Sequence, residues 1–223
     1  MKKIFTLVAV AMMTVCANAQ VISFSEAVAA GSMDAKTFGT GFVLTVTDTS
    51  GKIAIDKNTA YFGDATTYTN YDYRLKTGGK SSSKSQLVFT IPADGTFKFF
   101  ARTGSNSAID RTVVVTQSDA ELFNKVIAES DAVSVDMTDA TTGTITSKNV
   151  YPVNTVAVKA GTVIVTYPIN GINFYGFELA TATGIQKLTP IATSSTTCYN
   201  MAGQKVSTNA KGLVIENGKK IIK

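Results

Sequence analysis

The chain has 223 residues, a formal net charge of +5, no histidine and no tryptophan. The absence of histidine excludes Ser-His-Asp and Cys-His catalysis, His-ligated zinc and histidine general bases. The positive charge is mild and forms no dense Lys/Arg cluster, so the electrostatic footprint of a nucleic-acid partner is missing.

The first segment, residues 1–19, has the three parts of a cleavable secretory signal. Two lysines precede an apolar run at residues 4–15, and Ala17-Asn18-Ala19 supplies the small residues of a cleavage site. The run is shorter than the roughly 20 apolar residues that span a bilayer, and no later segment approaches that length. We therefore predict export, a mature chain beginning at Gln20, and no membrane span.

Strand signals dominate from residue 40 to residue 180. Short β-branched or aromatic runs alternate with turn residues, which is the pattern of an all-β, jelly-roll-like β-sandwich. The predicted strands are 42–47, 86–91, 96–102, 111–116, 132–137, 154–159, 161–167 and 172–179. Residues 159–162 and 168–171 are predicted to be hairpin connections.

Helical signals are few. Residues 23–30 are predicted to form one or two helical turns. Ser118-Asp119-Ala120-Glu121 fits a capping box, and Leu122, Val126 and Ile127 follow it at helical spacing. That pattern favours a short helix at 119–129, and a turn followed by a strand fits the same residues.

The composition changes after Ala180. Residues 181–197 are rich in Thr, Ser, Ala and Gly and are predicted to be a linker between the sandwich at 20–180 and a small β appendix at 198–223. Within the appendix, Asn217-Gly218 favours a two-residue hairpin turn. Cys198 is the single cysteine after the signal, so no internal disulfide is expected, and we interpret this thiol as structural.

The appendix resembles the C-terminal sorting domains of the type IX (Por) secretion system of gram-negative bacteria. The resemblance lies in residues 199–206 (YNMAGQKV), 211–215 (KGLVI) and the basic end 217–223 (NGKKIIK). It implies that the tail is recognised by the type IX machinery and directs the protein to the cell surface or the medium. A tail without that activity would leave the protein in the periplasm, and the alternative is a hairpin that only completes the fold.

The larger domain is similar to β-sandwich modules appended to secreted pectate lyases and related polysaccharide-degrading enzymes. The similarity covers roughly residues 38–180 and rests on the ordered segments 73–79, 95–105, 110–115 and 171–179. It implies a carbohydrate-binding jelly roll. The parallel β-helix repeat of a lyase catalytic domain is not present in the sequence.

Candidate ligand-binding residues are those that could stack on a sugar or donate hydrogen bonds to its hydroxyls or carboxylates. Arg102 and Arg111 bracket the loop 103–110 and would converge if their strands form a hairpin. Tyr151 precedes Pro152 and is interpreted as an aromatic residue of an exposed loop. The candidates are Tyr71, Tyr73, Arg74, Lys76, Arg102, Asn106, Arg111, Tyr151, Asn173 and Tyr175. Each of them could instead have a structural role, either on one face of a strand or in a surface ion pair.

No phosphate-loop motif, calcium-loop spacing or distinctive carboxylate pair is present, so no cofactor, metal or catalytic residue is predicted. Three functions follow in order of preference. The first is a secreted or surface-exposed, non-catalytic polysaccharide-binding module. The second is a structural or adhesion protein of the cell surface that binds protein partners. The third is a polysaccharide lyase or glycoside hydrolase that uses carboxylates or Arg/Lys.

Overall fold

The structure is a computed structural model, and it describes residues 18–138, 141–181, 198–200, 204–206, 211, 213–216 and 219–222. Contacts divide the chain into two compact units, residues 1–183 and 184–223. The predicted signal lies outside the described residues except for its last two positions, and so does the predicted linker except for Thr181. Within the described part no helix is long and apolar enough to cross a membrane.

The described residues of the first unit form fourteen strands and one short 3-10 helix at Glu129–Asp131. In chain order the strands are β1 (Asn18–Ser23), β2 (Thr37–Phe38), β3 (Val43–Asp48), β4 (Ala54–Gly63), β5 (Tyr68–Lys76), β6 (Ser85–Ile91), β7 (Gly95–Thr103), β8 (Thr112–Gln117), β9 (Ala120–Val126), β10 (Val133–Thr138), β11 (Ile145–Tyr151), β12 (Asn154–Val158), β13 (Gly161–Thr166) and β14 (Ile172–Thr181).

These strands form two sheets. The larger has the order β10-β11-β4-β5-β14-β7-β12, with β1 also paired to β14, and the smaller has the order β2-β3-β6-β13-β8-β9. Alternating buried positions along β3, β6, β7 and β13 supply one apolar face of each sheet. The two faces pack against each other in a core that includes Phe89, Phe97 and Phe177. The predicted all-β, sandwich-like fold is confirmed.

The connections between consecutive strands differ from the prediction. Residues 159–162 and 168–171 were predicted to be hairpins, but both cross from one sheet to the other. Strand β12 pairs with β7 in the larger sheet, β13 pairs with β6 and β8 in the smaller, and β14 returns to the larger sheet. Turn residues show where a strand ends, but they do not show which sheet the next strand joins.

Neither of the two predicted helical segments forms an α-helix. Ser23 ends β1, and Val28 forms an antiparallel bridge with Ile55. At 119–129 the alternative of a turn followed by a strand is confirmed. Ser118 and Asp119 have φ of 49° and 63° between paired Gln117 and Ala120. A capping residue has an extended backbone, whereas two successive positive φ values form the type I′ turn of a hairpin.

This turn carries a stability prediction. A type I′ turn favours Asn-Gly because non-glycine residues are strained at positive φ. We expect Asp119→Gly to raise the free energy of unfolding by about 0.5–1 kcal/mol. Chemical denaturation measures the change, with Asp110→Gly, in the β7–β8 loop, as the control. A destabilised Asp119→Gly protein would contradict the turn geometry.

The second unit contains a four-stranded antiparallel sheet of order β16-β15-β17-β18. Its strands are β15 (Cys198–Asn200), β16 (Lys205–Val206), β17 (Leu213–Glu216) and β18 (Lys219–Ile222). Glu216 pairs with Lys219, so a two-residue hairpin joins the last two strands as predicted. The Asn217-Gly218 turn itself lies outside the described residues.

Candidate functional site

The structure brings the ten predicted site residues to three places. One group lies on the outer side of the larger sheet and comprises Arg74, Arg102, Asn106, Tyr151 and Tyr175. A second group, Lys76, Arg111 and Asn173, lines a separate cleft. The remaining two, Tyr71 and Tyr73, are half-buried: Tyr73 packs against the main core, and Tyr71 packs against a second, smaller apolar cluster.

The second cluster exists because the larger sheet divides along β14. Strand β5 pairs with β14 only at Asn173 and Phe174, and β1 occupies the same edge of β14 from Gly176 onward. The outer part of the β4–β5 hairpin therefore leaves the sheet. Tyr71 lies close over Gly176, where a Cβ atom would be 3.1 Å from the Tyr71 ring.

The cluster is an aromatic layer outside the main core. It contains Phe62, Phe100, Tyr151 and Tyr175, and the Tyr71 ring packs on the Phe100 ring at a tilt of 34° with 4.9 Å between ring centroids. Burial raises the pKa of Tyr71 to about 12. Tyr151 ends β11 and is only 3% exposed, so its description as an exposed-loop aromatic was wrong. Tyr175 is fully buried.

An Arg–Glu pair closes one edge of this layer. Arg102 donates from Nε and Nη2 to the two carboxylate oxygens of Glu129, at 3.1 and 2.9 Å, and from Nη2 to Asn106 Oδ1 at 3.0 Å. The Arg102 guanidinium lies 5.0 Å from the centre of the Tyr151 ring, within cation–π range. The Tyr151 hydroxyl donates to Glu129. Arg102 is thereby held in one orientation.

The electrostatics of this pair follow from its surroundings. Burial raises the pKa of Glu129, but hydrogen bonds from Arg102 and Tyr151 outweigh it and leave that pKa below the ordinary value of 4.5. Glu129 is therefore ionised at neutral pH and neutralises Arg102. An ionised, fully paired carboxylate is a poor proton donor.

Tyr175 connects this pair to a second ion pair. Its hydroxyl donates to Asn58 Oδ1. Burial raises the Tyr175 pKa, and the nearby charges of Arg102 and Arg74 oppose that rise. Arg74 forms a two-pronged pair with Asp56, directly opposite it on β4, with 2.7 and 3.2 Å hydrogen bonds. Arg74 is thus an intramolecular ion-pair partner.

A surface groove opens beside this network. It consists of two adjoining depressions of about 290 and 400 Å³ that share Tyr61 and Lys148. We call it the tyrosine groove. Its lining residues are Thr59, Ala60, Tyr61, Tyr68, Arg102, Met137, Thr138, Thr144, Thr146, Ser147, Lys148, Asn149 and Tyr151.

The groove presents rings and polar groups together. Tyr61 and Tyr68 form an edge-to-face pair with centroids 6.1 Å apart, and Tyr68 is 38% exposed. Strand β11 pairs with β4 only through Val150 and Tyr151, so the rest of β11 forms the opposite wall. Aromatic faces beside hydroxyl, amide and guanidinium groups are the features that a saccharide site requires.

Sequence reasoning missed Tyr61, Ser147, Lys148 and Asn149. Recognition of the turn at 64–67 could have identified Tyr61. In this turn the Asp64 carboxylate accepts hydrogen bonds from the backbone N–H groups of Thr66 and Thr67. A hairpin centred there places Tyr61 and Tyr68 on neighbouring strands. The three β11 residues carried no local signal, because their position depends on a strand pairing distant in sequence.

The second predicted group does not extend the tyrosine groove. Arg102 and Arg111 were expected to converge as hairpin neighbours, but β7 and β8 belong to different sheets. Arg111 instead donates to the backbone oxygen of Gly171 at 2.6 Å. With Lys76 and Asn173 it lines a cleft of about 200 Å³, which we call the basic cleft. Its full lining is Lys76, Gly78, Gly79, Gly104, Arg111, Asn170, Gly171 and Asn173.

No protein-family profile matches this chain, and no curated protein is significantly similar to it in sequence. Solved structures with a related arrangement include one reported in a study of glycan recognition by the Ruminococcus flavefaciens cellulosome. That structure is 12% identical, and the match covers 74% of this chain and 96% of that one with a TM-score of 0.36.

Two further solved structures are catalytic domains of a GH87 α-1,3-glucanase. One is in complex with nigerose, at 11% identity and a TM-score of 0.32, and a variant is in complex with tetrasaccharides, at 11% identity and a TM-score of 0.33. Each match covers 66% of this chain and 29% of the glucanase chain.

Proposed function

We propose that the protein is a non-catalytic polysaccharide-binding module and that the tyrosine groove is its binding site. The observation that carries this proposal is the ring pair of half-buried Tyr61 and exposed Tyr68 in the groove that Arg102 and Tyr151 also line. The rings offer faces for the C–H groups of a sugar, and Arg102, Ser147 and Asn149 offer partners for its hydroxyls.

The non-catalytic part of the proposal rests on Glu129. This carboxylate is occupied by Arg102 and Tyr151, and a pKa below 4.5 leaves it unprotonated at neutral pH. A glycosidase acid needs a raised pKa and a second carboxylate across the bond, and none of the described residues that line the groove is an Asp or a Glu.

The location outside the cytoplasm rests on sequence alone. The predicted signal at residues 1–19 takes the chain across the inner membrane. The tail at 198–223 resembles type IX sorting domains, and recognition by that machinery would place the protein at the cell surface or in the medium. Without it the protein would stay in the periplasm.

A second candidate, a structural or adhesion protein that binds protein partners, is favoured by a different observation. Three tyrosines, Tyr151, Tyr167 and Tyr175, are buried rather than displayed. The β10–β11 hairpin exposes Val133 and Ile145 at 49% and 66%. Exposed apolar side chains on one hairpin can serve a protein interface.

Affinity electrophoresis of the intact chain in gels cast with pectin, polygalacturonate, xylan or mucin glycans tests the proposal. We expect at least one polymer to retard the protein, and we expect Tyr61→Ala/Tyr68→Ala to weaken that retardation about tenfold, because each ring contributes about 0.5–1.5 kcal/mol.

Tyr199→Ala is the matched control, since Tyr199 is 40% exposed and belongs to the second unit. It should be retarded like the unaltered protein. Equal retardation of the Tyr61/Tyr68 double variant would place the binding site elsewhere. A lack of retardation by every polymer would favour the adhesion function instead.

A further inference from the structure

The basic cleft differs chemically from the tyrosine groove. It lies where the connections that follow β5, β7 and β13 meet, and none of its eight lining residues is acidic or aromatic. Two of them, Lys76 and Arg111, are cations. Four are glycines, so half of the lining residues present only backbone to the cleft.

The two cations lack acidic partners. Over the described ranges, neither Lys76 nor Arg111 has a carboxylate oxygen within 4.0 Å, whereas Arg74, Lys98, Arg102, Lys125 and Lys159 each have one. The Arg111 guanidinium is fixed through Nη1, which donates to Gly171 O. Its Nε and Nη2 donors stay available. Two unneutralised cations in one concave site favour an anionic ligand.

Backbone and amide donors add to this charge. The amide nitrogens of Gly79 and Gly78 lie 3.1 and 3.5 Å from the position that a Cβ atom on Gly171 would occupy. No acceptor is recorded for either N–H within residues 18–138 and 141–181. A side chain at residue 171 would crowd these amide nitrogens, so the cleft at this point depends on Gly171. Backbone N–H groups beside cations are typical of oxyanion sites.

Two asparagines complete the cleft. Asn173 is 5% exposed, and its Nδ2 makes one long contact of 3.4 Å to Thr103 O. The Asn170 Oδ1 accepts a hydrogen bond from the Gly171 N–H, with 2.8 Å between oxygen and nitrogen. The Nδ2 group of the same side chain can donate to a ligand. The cleft thus holds donors from Lys76, Arg111, two backbone amides and two side-chain amides.

We propose that the basic cleft binds the carboxylate of an acidic saccharide. This inference rests on the proposed function and deepens it, because it names uronate-bearing glycans as the ligand class. A volume of about 200 Å³ is smaller than most ligand pockets. It therefore holds one charged sugar residue, while the tyrosine groove contacts uncharged parts of a glycan.

Amide chemical shifts of the intact chain test the inference residue by residue. Trigalacturonate should shift the Gly78, Gly79 and Gly171 amide signals in a saturable way. Fully methyl-esterified trigalacturonate, which has the same sugar skeleton without the charge, should leave them in place. Lys76→Gln should weaken trigalacturonate binding about tenfold, because it removes a charged hydrogen-bond donor to the carboxylate.

Lys84→Gln is the charge-matched control, since Lys84 is exposed and lines neither site; it should bind as the unaltered chain does. Equal shifts from the ester, an unchanged affinity in Lys76→Gln, or equal binding of inorganic sulfate would overturn uronate recognition. Unmoved glycine signals would also overturn it. If a neutral polymer were still retarded in gels, polysaccharide binding at the tyrosine groove would survive that failure.

Discussion

Phe62→Ala is expected to lower the free energy of unfolding by about 3–5 kcal/mol, the usual cost of emptying a buried aromatic position. Phe62 is 2% exposed and touches the rings of Tyr71, Phe100, Tyr151 and Tyr175, with centroids 5.2–5.8 Å away. It is the central contact of the outer aromatic layer. Its loss removes the packing that holds the wall of the tyrosine groove.

Urea denaturation measures this change through the midpoint at a constant slope. Phe123→Ala is the matched control, because Phe123 lies on the edge strand β9, is only partly buried and contacts a single ring, that of Phe99. We expect Phe123→Ala to lower the free energy of unfolding by only about 1–2 kcal/mol, since partial exposure reduces the hydrophobic contribution of this side chain. If Phe62→Ala lowered the free energy of unfolding less than Phe123→Ala does, that result would contradict the existence of the outer layer.

Glu129→Gln is expected to destabilise the protein by about 2–3 kcal/mol at neutral pH. The paired side chains of Arg102 and Glu129 are 21% and 20% exposed, so the substitution leaves a largely buried guanidinium without its counter-charge. Solvent reaches about a fifth of each side chain, which keeps the loss below that of a fully buried pair. The same change should loosen Arg102 on Tyr151 and weaken glycan binding.

The effect should depend on pH in one direction. The folded-state pKa of Glu129 is lowered from 4.5, so the ionised carboxylate stabilises the fold fully above about pH 4.5. This contribution is lost as the pH falls through the folded-state pKa. The gap in stability between the unaltered chain and Glu129→Gln should therefore narrow on acidification below 4.5.

Asp94→Asn is the control for this prediction. Asp94 pairs with Lys159 at 2.8 Å, but the two side chains are 58% and 80% exposed. Solvent screens an exposed ion pair, which therefore adds little to stability, so this variant should unfold at nearly the same urea concentration as the unaltered chain. If Glu129→Gln lowered the free energy of unfolding no more than Asp94→Asn does, the Arg102–Glu129 pair would not organise the site.

The sequence predicted the all-β fold because the strand signals are local. Phe97, Phe99 and Ala101 alternate along the predicted strand 96–102, and all three lie in the main core. The burial of Phe100 was harder to predict, because this residue points to the other face of the same strand. It is buried on the opposite face, and two adjacent phenylalanines indicate a strand covered on both sides. That signal would have predicted the outer layer.

The candidate site could be predicted only in part, because its geometry depends on pairing between distant strands. Arg102, Tyr151 and Tyr175 were each identified from residue type, but nothing local shows that they meet. Tyr61 was missed, and a register shift in β4 between Lys57 and Ala60 further hides its position. Local patterns also could not show that β7 and β8 join different sheets, which separates Arg111 from Arg102.

A site-resolved binding map tests the central claim most directly. Amide chemical shifts of the intact chain would be followed while an oligosaccharide of the retained polymer is added. We predict the largest changes at Thr59–Tyr61, at Tyr68 and at Ser147–Asn149, which line the tyrosine groove from both walls. Changes confined to strands of the smaller sheet, or to residues 198–222, would contradict the assignment of this groove as the glycan site.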